Sequence, residues 1–353
     1  RARRRTLTRR RLSRLRVATA LLTEGNAWQE LGDPPKAIAA AEEARGIYAS
    51  AGDRGGESRA LRAEGISLRS QGDLAAARRM YERGLAVARD IGDQSTTAGL
   101  LNNIANVQRQ QGSVAEALKT YQAPLAISRE IGDRTAVALT LNNMAIGLRV
   151  QGDLAGAKKN YEEALAIRRA IGEKAGASAT LNNLANLMSD QGDLSGAMKL
   201  YEETRRTAEE LGDRRGVAMA WYNVGEMERL QGSLSSSRTS YDQALTLRRA
   251  IEDKSGVART LASIGLVQTA QARFSEARKT YEEALALLES VGEKQGIARV
   301  HNFIGTLSLH EGRPGDAQKL LRQAATEFQA LKAADEHAAT LAVLAKALLA
   351  EGK

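Results

Sequence analysis

Leu181-Asn182-Asn183-Leu184-Ala185-Asn186 is followed by Gln191-Gly192-Asp193 and then by Tyr201. Forty residues upstream the same order stands as Leu141-Asn142-Asn143-Met144-Ala145, Gln151-Gly152-Asp153 and Tyr161. Eighty upstream it is Leu101-Asn102-Asn103-Ile104-Ala105-Asn106, Gln111-Gly112-Ser113 and Tyr121. Downstream it loosens to Trp221-Tyr222-Asn223-Val224-Gly225, Gln231-Gly232-Ser233 and Tyr241. A pattern returning at a fixed period in this range marks a repeat array, in which each unit buries its apolar face against the next.

Working outward, the units fall at 17–52, 53–92, 93–132, 133–172, 173–212, 213–252, 253–292 and 293–333, with a final helix over 336–351. Within a unit the apolar spacing changes face across Gly72, Gly112, Gly152, Gly192 or Gly232, so each unit reads as helix, turn, helix. Glycine suits the left-handed position just past a helix end, and the Asp or Ser after it suits an N-cap. Ser113 and Glu116 have the spacing of a capping box. Gln271-Ala272-Arg273 lacks the glycine, and Leu321 replaces the tyrosine, so the array drifts toward its C-terminal end.

Composition agrees with helices. The 353 residues are 43% hydrophobic but 4% aromatic, with four prolines. The absence of cysteine excludes disulfides and thiolate metal sites and suits a reducing, cytoplasmic setting. No apolar run approaches the roughly 20 residues of a membrane helix. The net charge of +9 is local: nine arginines lie in residues 1–16, and removing them leaves 42 basic against 42 acidic residues. Residues 1–16 therefore form a basic arm. It reads as a linker, a juxtamembrane segment, a nucleic-acid contact or the exposed start of the first helix. Contact with nucleic acid or anionic membrane is expected only through this arm. Position 1 is not Met, and a fragment of a longer protein is the expectation.

The spacing Leu181, Leu184, Ala185, Ala197, Tyr201, with a small residue at 204, resembles the tetratricopeptide repeat (TPR). Two departures are the period of 40 rather than 34 and a missing proline near the end of the second helix; both fit a longer second helix. This variant is similar to the repeats of the Pins/LGN spindle-orientation scaffold and, less closely, of kinesin light chain. The resemblance implies an all-α fold, a right-handed α-solenoid of about eight helix-turn-helix units plus a C-terminal helix. It also implies that partner peptides bind along the inner, concave face.

On a helical wheel Leu181, Leu184, Ala185 and Met188 form the core stripe, while Ala179, Asn182, Asn186 and Ser189 lie on another side. That side is the wall which the resemblance makes concave. Asn102, Asn142, Asn182 and Asn302 share one wall position, with Asn106 and Asn186 a turn further on. Arg69, Arg109, Arg149 and Arg229 share another, and Arg62, Arg259 and Arg299 are neighbours. An amide both donates to and accepts from a bound backbone, and arginine adds charge-assisted bonds to carboxylates. The expected ligand is a protein or peptide segment with acidic side chains. Asn103, Asn143, Asn183 and Asn223 lie nearer the helix seam and are expected to bond neighbouring helices. The repeated tyrosines, at core spacing, are expected to pack between helices.

Nothing in the pattern reads as an active site. His301, His310 and His337 are the only histidines and are not at metal-binding spacing, and the glycines punctuate helices. No enzyme activity, cofactor or metal is expected. Two functions fit: an interaction scaffold, or the sensory, regulatory portion of a larger signalling protein whose effector, a kinase or transcription regulator, lies upstream of residue 1.

Overall fold

The computed structural model describes residues 2–352, with side chains from residue 11 onward. Among the described residues there are seventeen α-helices and no strand. The first nine are α1 (Ala2–Glu30), α2 (Pro34–Ala51), α3 (Arg54–Gln71), α4 (Leu74–Asp90), α5 (Gln94–Gln110), α6 (Val114–Glu130), α7 (Arg134–Val150), α8 (Leu154–Ala170) and α9 (Lys174–Asp190). They continue as α10 (Leu194–Leu211), α11 (Arg214–Leu230), α12 (Leu234–Ala250), α13 (Lys254–Ala270), α14 (Phe274–Val291), α15 (Lys294–His310), α16 (Pro314–Ala330) and α17 (Ala334–Ala350). Helix α1 already begins at Ala2, so the backbone of the basic stretch continues into the first helix. Arg1 and the side chains of residues 2–10, which carry much of that charge, lie outside the described residues.

The chain forms two compact units, Arg1–Asn183 and Leu184–Lys353, divided within α9. In each, helices pack on their chain neighbours, and the first helices of successive pairs also touch, as α3 does α5 and α13 does α15. The core runs along these seams. In the first unit Tyr81, Leu85, Leu100 and Ile104 form one cluster, and Tyr121, Val137, Leu141 and Met144 the next. In the second, Tyr201 packs with Val224 and Met227, and Tyr241 and Tyr281 with Leu261 and Ile264. The repeated tyrosines do pack between helices: all six are buried. A small residue beneath them is obligatory, because a Cβ at Gly65 would stand 2.5 Å from the Tyr81 ring and one at Gly265 2.4 Å from Tyr281.

The turns follow the local chemistry. Gly72, Gly152 and Gly192 have φ of 94°, 84° and 81°. Asp73, Asp93 and Asp133 accept from Ala76, Thr96 and Ala136 N–H at 2.8–2.9 Å. The expected capping box does not form: Ser113 makes no side-chain cap bond. Its partner Glu116 instead accepts from Gln108 Nε2 at 2.7 Å, held by the preceding helix. Ser233 likewise leaves its helix uncapped by a side chain. Where glycine is missing the left-handed geometry persists, with φ of 57° at Ala272, 55° at Glu252 and 57° at Lys332.

Candidate functional site

The wall asparagines are positioned by one another. Asn143 Nδ2 donates to Asn102 Oδ1 at 3.2 Å, and Asn183 Nδ2 donates to Asn142 Oδ1 at 3.1 Å. Each bond ties one first helix to the next, as expected for the seam positions 143 and 183. Asn102 and Asn142 are buried yet keep their own Nδ2 groups, because only the oxygens are used. A turn further on, Asn106 Oδ1 accepts from Tyr121 Oη at 2.7 Å and Asn186 Oδ1 from Tyr201 Oη at 2.5 Å. Asn302 donates to Thr340 Oγ1 at 2.8 Å. Asn182, Asn186 and Asn302 are half-buried. The asparagines therefore brace the array along its first helices.

The shared arginine position faces the tyrosines. Burial pushes the Tyr81 hydroxyl up to about 12, with Arg69 and Arg62 pulling against it. Burial likewise raises Tyr121, opposed by a bond from Arg109. Arg149 is half-buried at the equivalent place on α7. In the second unit Arg229 pairs with Glu226 at 2.8 Å, and that carboxylate also accepts from Tyr241 Oη at 2.6 Å and Ser263 Oγ at 2.7 Å. Burial works to raise the Glu226 carboxyl, but Arg229 and these donors outweigh it and hold it below the usual range. Arg299, at a neighbouring wall position, pairs with Glu336 at 3.5 Å.

Arg62 differs. Its guanidinium crosses Gly99, where a Cβ would meet Cζ at 3.0 Å. Its Nε is buried without a partner, as are those of Arg109 and Arg229, but for Arg62 burial also pulls the pKa down. It overlooks a pocket of about 210 Å³ between α5 and α7, lined also by Asn102, Ser128, Asp133, Ala136 and Thr140. At the pocket floor Ser128 is fully buried, and its Oγ has no partner. Ser128 escaped the reading of the sequence because it stands on a second helix, away from the wall. The available signal was its register with Arg168 and Arg248, one and three repeats on.

Among the described residues no group of three or more His, Cys, Asp or Glu could hold a metal ion. His301 is buried, with Nδ1 2.9 Å from Glu327 Oε2. No described helix is long and apolar enough to cross a membrane.

A tetratricopeptide repeat family model matches residues 16–90, 96–170, 136–210 and 216–290, and a second one matches 62–129. No curated protein matches the chain. Among solved structures, a signal transduction ATPase with a tetratricopeptide repeat sensor, from Pyrococcus horikoshii, has a TM-score of 0.67 at 14% identity, covering 96% of this chain and 50% of its own. The apo quorum sensor NprR from B. thuringiensis has a TM-score of 0.60 at 14% identity, covering 94% of this chain and 98% of that one. A Rap protein complexed with competence and sporulation factor has a TM-score of 0.59 at 13% identity, over 94% and 98%. At these identities the likeness is one of fold.

Proposed function

The chain belongs to the tetratricopeptide repeat family, and from that premise we propose that it binds a segment of a protein or peptide partner along the face of its first helices. The observation that carries this reading is Arg62, a desolvated cation whose Nε has no hydrogen-bond partner among the described residues, beside an open pocket and the spare Asn102 Nδ2. A half-buried cation with an unsatisfied donor is costly to the folded chain, and a carboxylate arriving from outside relieves that cost. The anionic group is an Asp or Glu side chain or a C-terminal carboxylate. Asn102, Asn142, Asn182 and the neighbouring wall positions hold the segment's backbone. The role is one of binding, with no chemistry assigned.

A second reading, a sensory portion of a larger signalling protein, is favoured by the Pyrococcus horikoshii likeness, where this chain matches half of a longer one carrying a repeat sensor. It concerns what the array is attached to, and the same face serves it.

The test is a positional-scanning hexapeptide library, with free and amidated C-termini, read against the wild-type chain and the Arg62→Ala variant. We expect selection of an acidic side chain or a free carboxylate, and a loss of roughly tenfold or more in R62A, as for a charge-assisted bond. No acidic selection, or equal binding by R62A, would remove Arg62 from the site. Replacing Asn142 and Asn182 with Ala should weaken every binding peptide, whatever its sequence.

A further inference from the structure

In the repeat register, position 128 recurs as Ala88, Arg168, Ala208, Arg248 and Leu288, so it is arginine in two units. Both arginines are 4% exposed. Arg168 Nη1 donates to the Gly176 carbonyl, and its Nε lies 3.7 Å from Glu173. Arg248 Nη1 donates to the Gly256 carbonyl at 2.7 Å and to Thr260 Oγ1 at 2.6 Å; burial and Arg259 pull its pKa down, and Asp253 opposes them. The equivalent acceptors one repeat before Arg168 are Asp133, the Ala136 carbonyl and Thr140 Oγ1, and all three residues line the 210 Å³ pocket. Ser128 is too short to reach them. The acceptors of a buried guanidinium are thus assembled without one.

We infer that this pocket is an arginine socket, filled by an arginine of the partner segment that stands next to its acidic group. The inference rests on the binding role proposed above for this face. Entry is from the wall side, not from α6. At Gly176 and Gly256 an added Cβ would lie 2.8 Å from the resident arginine, whereas residue 136 carries such a methyl. Arg62 lines the same pocket, so a lone guanidinium would meet a like charge. A carboxylate on Arg62 removes that repulsion, which is why the occupant is a dipolar pair rather than arginine alone. Guanidinium is the fitting head group because its fork of donors matches a carbonyl, a hydroxyl and a carboxylate together, which a lysine ammonium matches less well.

The test uses end-blocked dipeptides, acetyl-Arg-Glu-amide and acetyl-Glu-Arg-amide, against lysine and glutamine analogues of each, followed by amide chemical shifts of the full chain. We expect saturable shifts at Ala136 and Thr140 from at least one arginine dipeptide, and roughly tenfold weaker binding of its lysine analogue. The paired substitution Ser128→Arg with Ala136→Gly, copying the register of Arg168 and Gly176, should plug the socket and abolish those shifts. Thr140→Val, which keeps Ser128, should weaken them if the paired variant does not fold. Shifts at Gly99 from every glutamate dipeptide, with none added by arginine at Ala136 or Thr140, overturn the socket and leave the carboxylate anchor standing. No shifts from any dipeptide overturn both. Undiminished arginine shifts in the plugged chain or in T140V place the guanidinium elsewhere and overturn the socket.

Discussion

Arg109 interacts with the Tyr121 hydroxyl, whereas Arg62, on the previous first helix, lines the open pocket. The two cations should therefore respond in opposite ways to truncation. Arg109→Ala removes a polar contact to a buried ring and the methylenes packed with it, so it should lower the melting temperature, by about 1 kcal/mol of stability. Affinity for acidic peptides should stay within about twofold. Arg62→Ala removes a desolvated charge whose Nε has no partner and should leave the melting temperature unchanged or raised while affinity falls. Paired melting curves and titrations decide it. A destabilised R62A with intact binding would reverse the assignment of the two arginines.

At the scale of the helix, the turns divide into those that the sequence satisfies and those it leaves strained. Ala272 holds a left-handed φ of 57° where glycine stands in most other units. A residue with a Cβ loses roughly 1 kcal/mol there, part of which glycine returns through its freer unfolded chain. Ala272→Gly should therefore raise the melting temperature modestly. Ser113→Asp should do the same by supplying the cap that Asp93 and Asp133 make and Ser113 does not, worth about 0.5–1 kcal/mol. The two sites share no partner, so their effects should add. A lower melting temperature for A272G would show that the left-handed turn carries no strain.

At the scale of the molecule, each unit is a one-dimensional stack in which neighbouring helices share a tyrosine-centred core. Tyr81 and Tyr281 are pushed by burial from an ordinary 10.0 up to about 12. An acid whose folded pKa is raised releases its proton first from the unfolded chain. The stabilisation is therefore complete below about pH 10 and is lost as pH rises from 10 through about 12. Helix content followed by circular dichroism should fall in that window together with the rise of phenolate absorbance. Tyrosines titrating near 10 with helices intact would contradict their place in the core. On the acidic side Asp33, Asp93, Glu226 and Glu311 are held below the usual carboxylate range, so their contribution is lost as pH falls through their folded values.

The 40-residue register alone settled the helix pairs, the turn glycines, the aspartate caps and the buried tyrosines, because each depends on residues within a few positions of one another. Family membership followed from the same local spacing. Which polar groups on the first-helix face remain available was decided only by tertiary packing. Asn143 reaches Asn102 and Asn183 reaches Asn142 across 41 residues, and Gln108 takes Glu116 away from the expected capping box. Arg69 and Arg62 both act on the Tyr81 hydroxyl, and only their surroundings show that Arg62 also borders a void. The pocket over Ser128 exists because a side chain is short where its equivalents at 168 and 248 are long. A void is a property of everything around it, so it leaves no mark in the local pattern from which the helices are read.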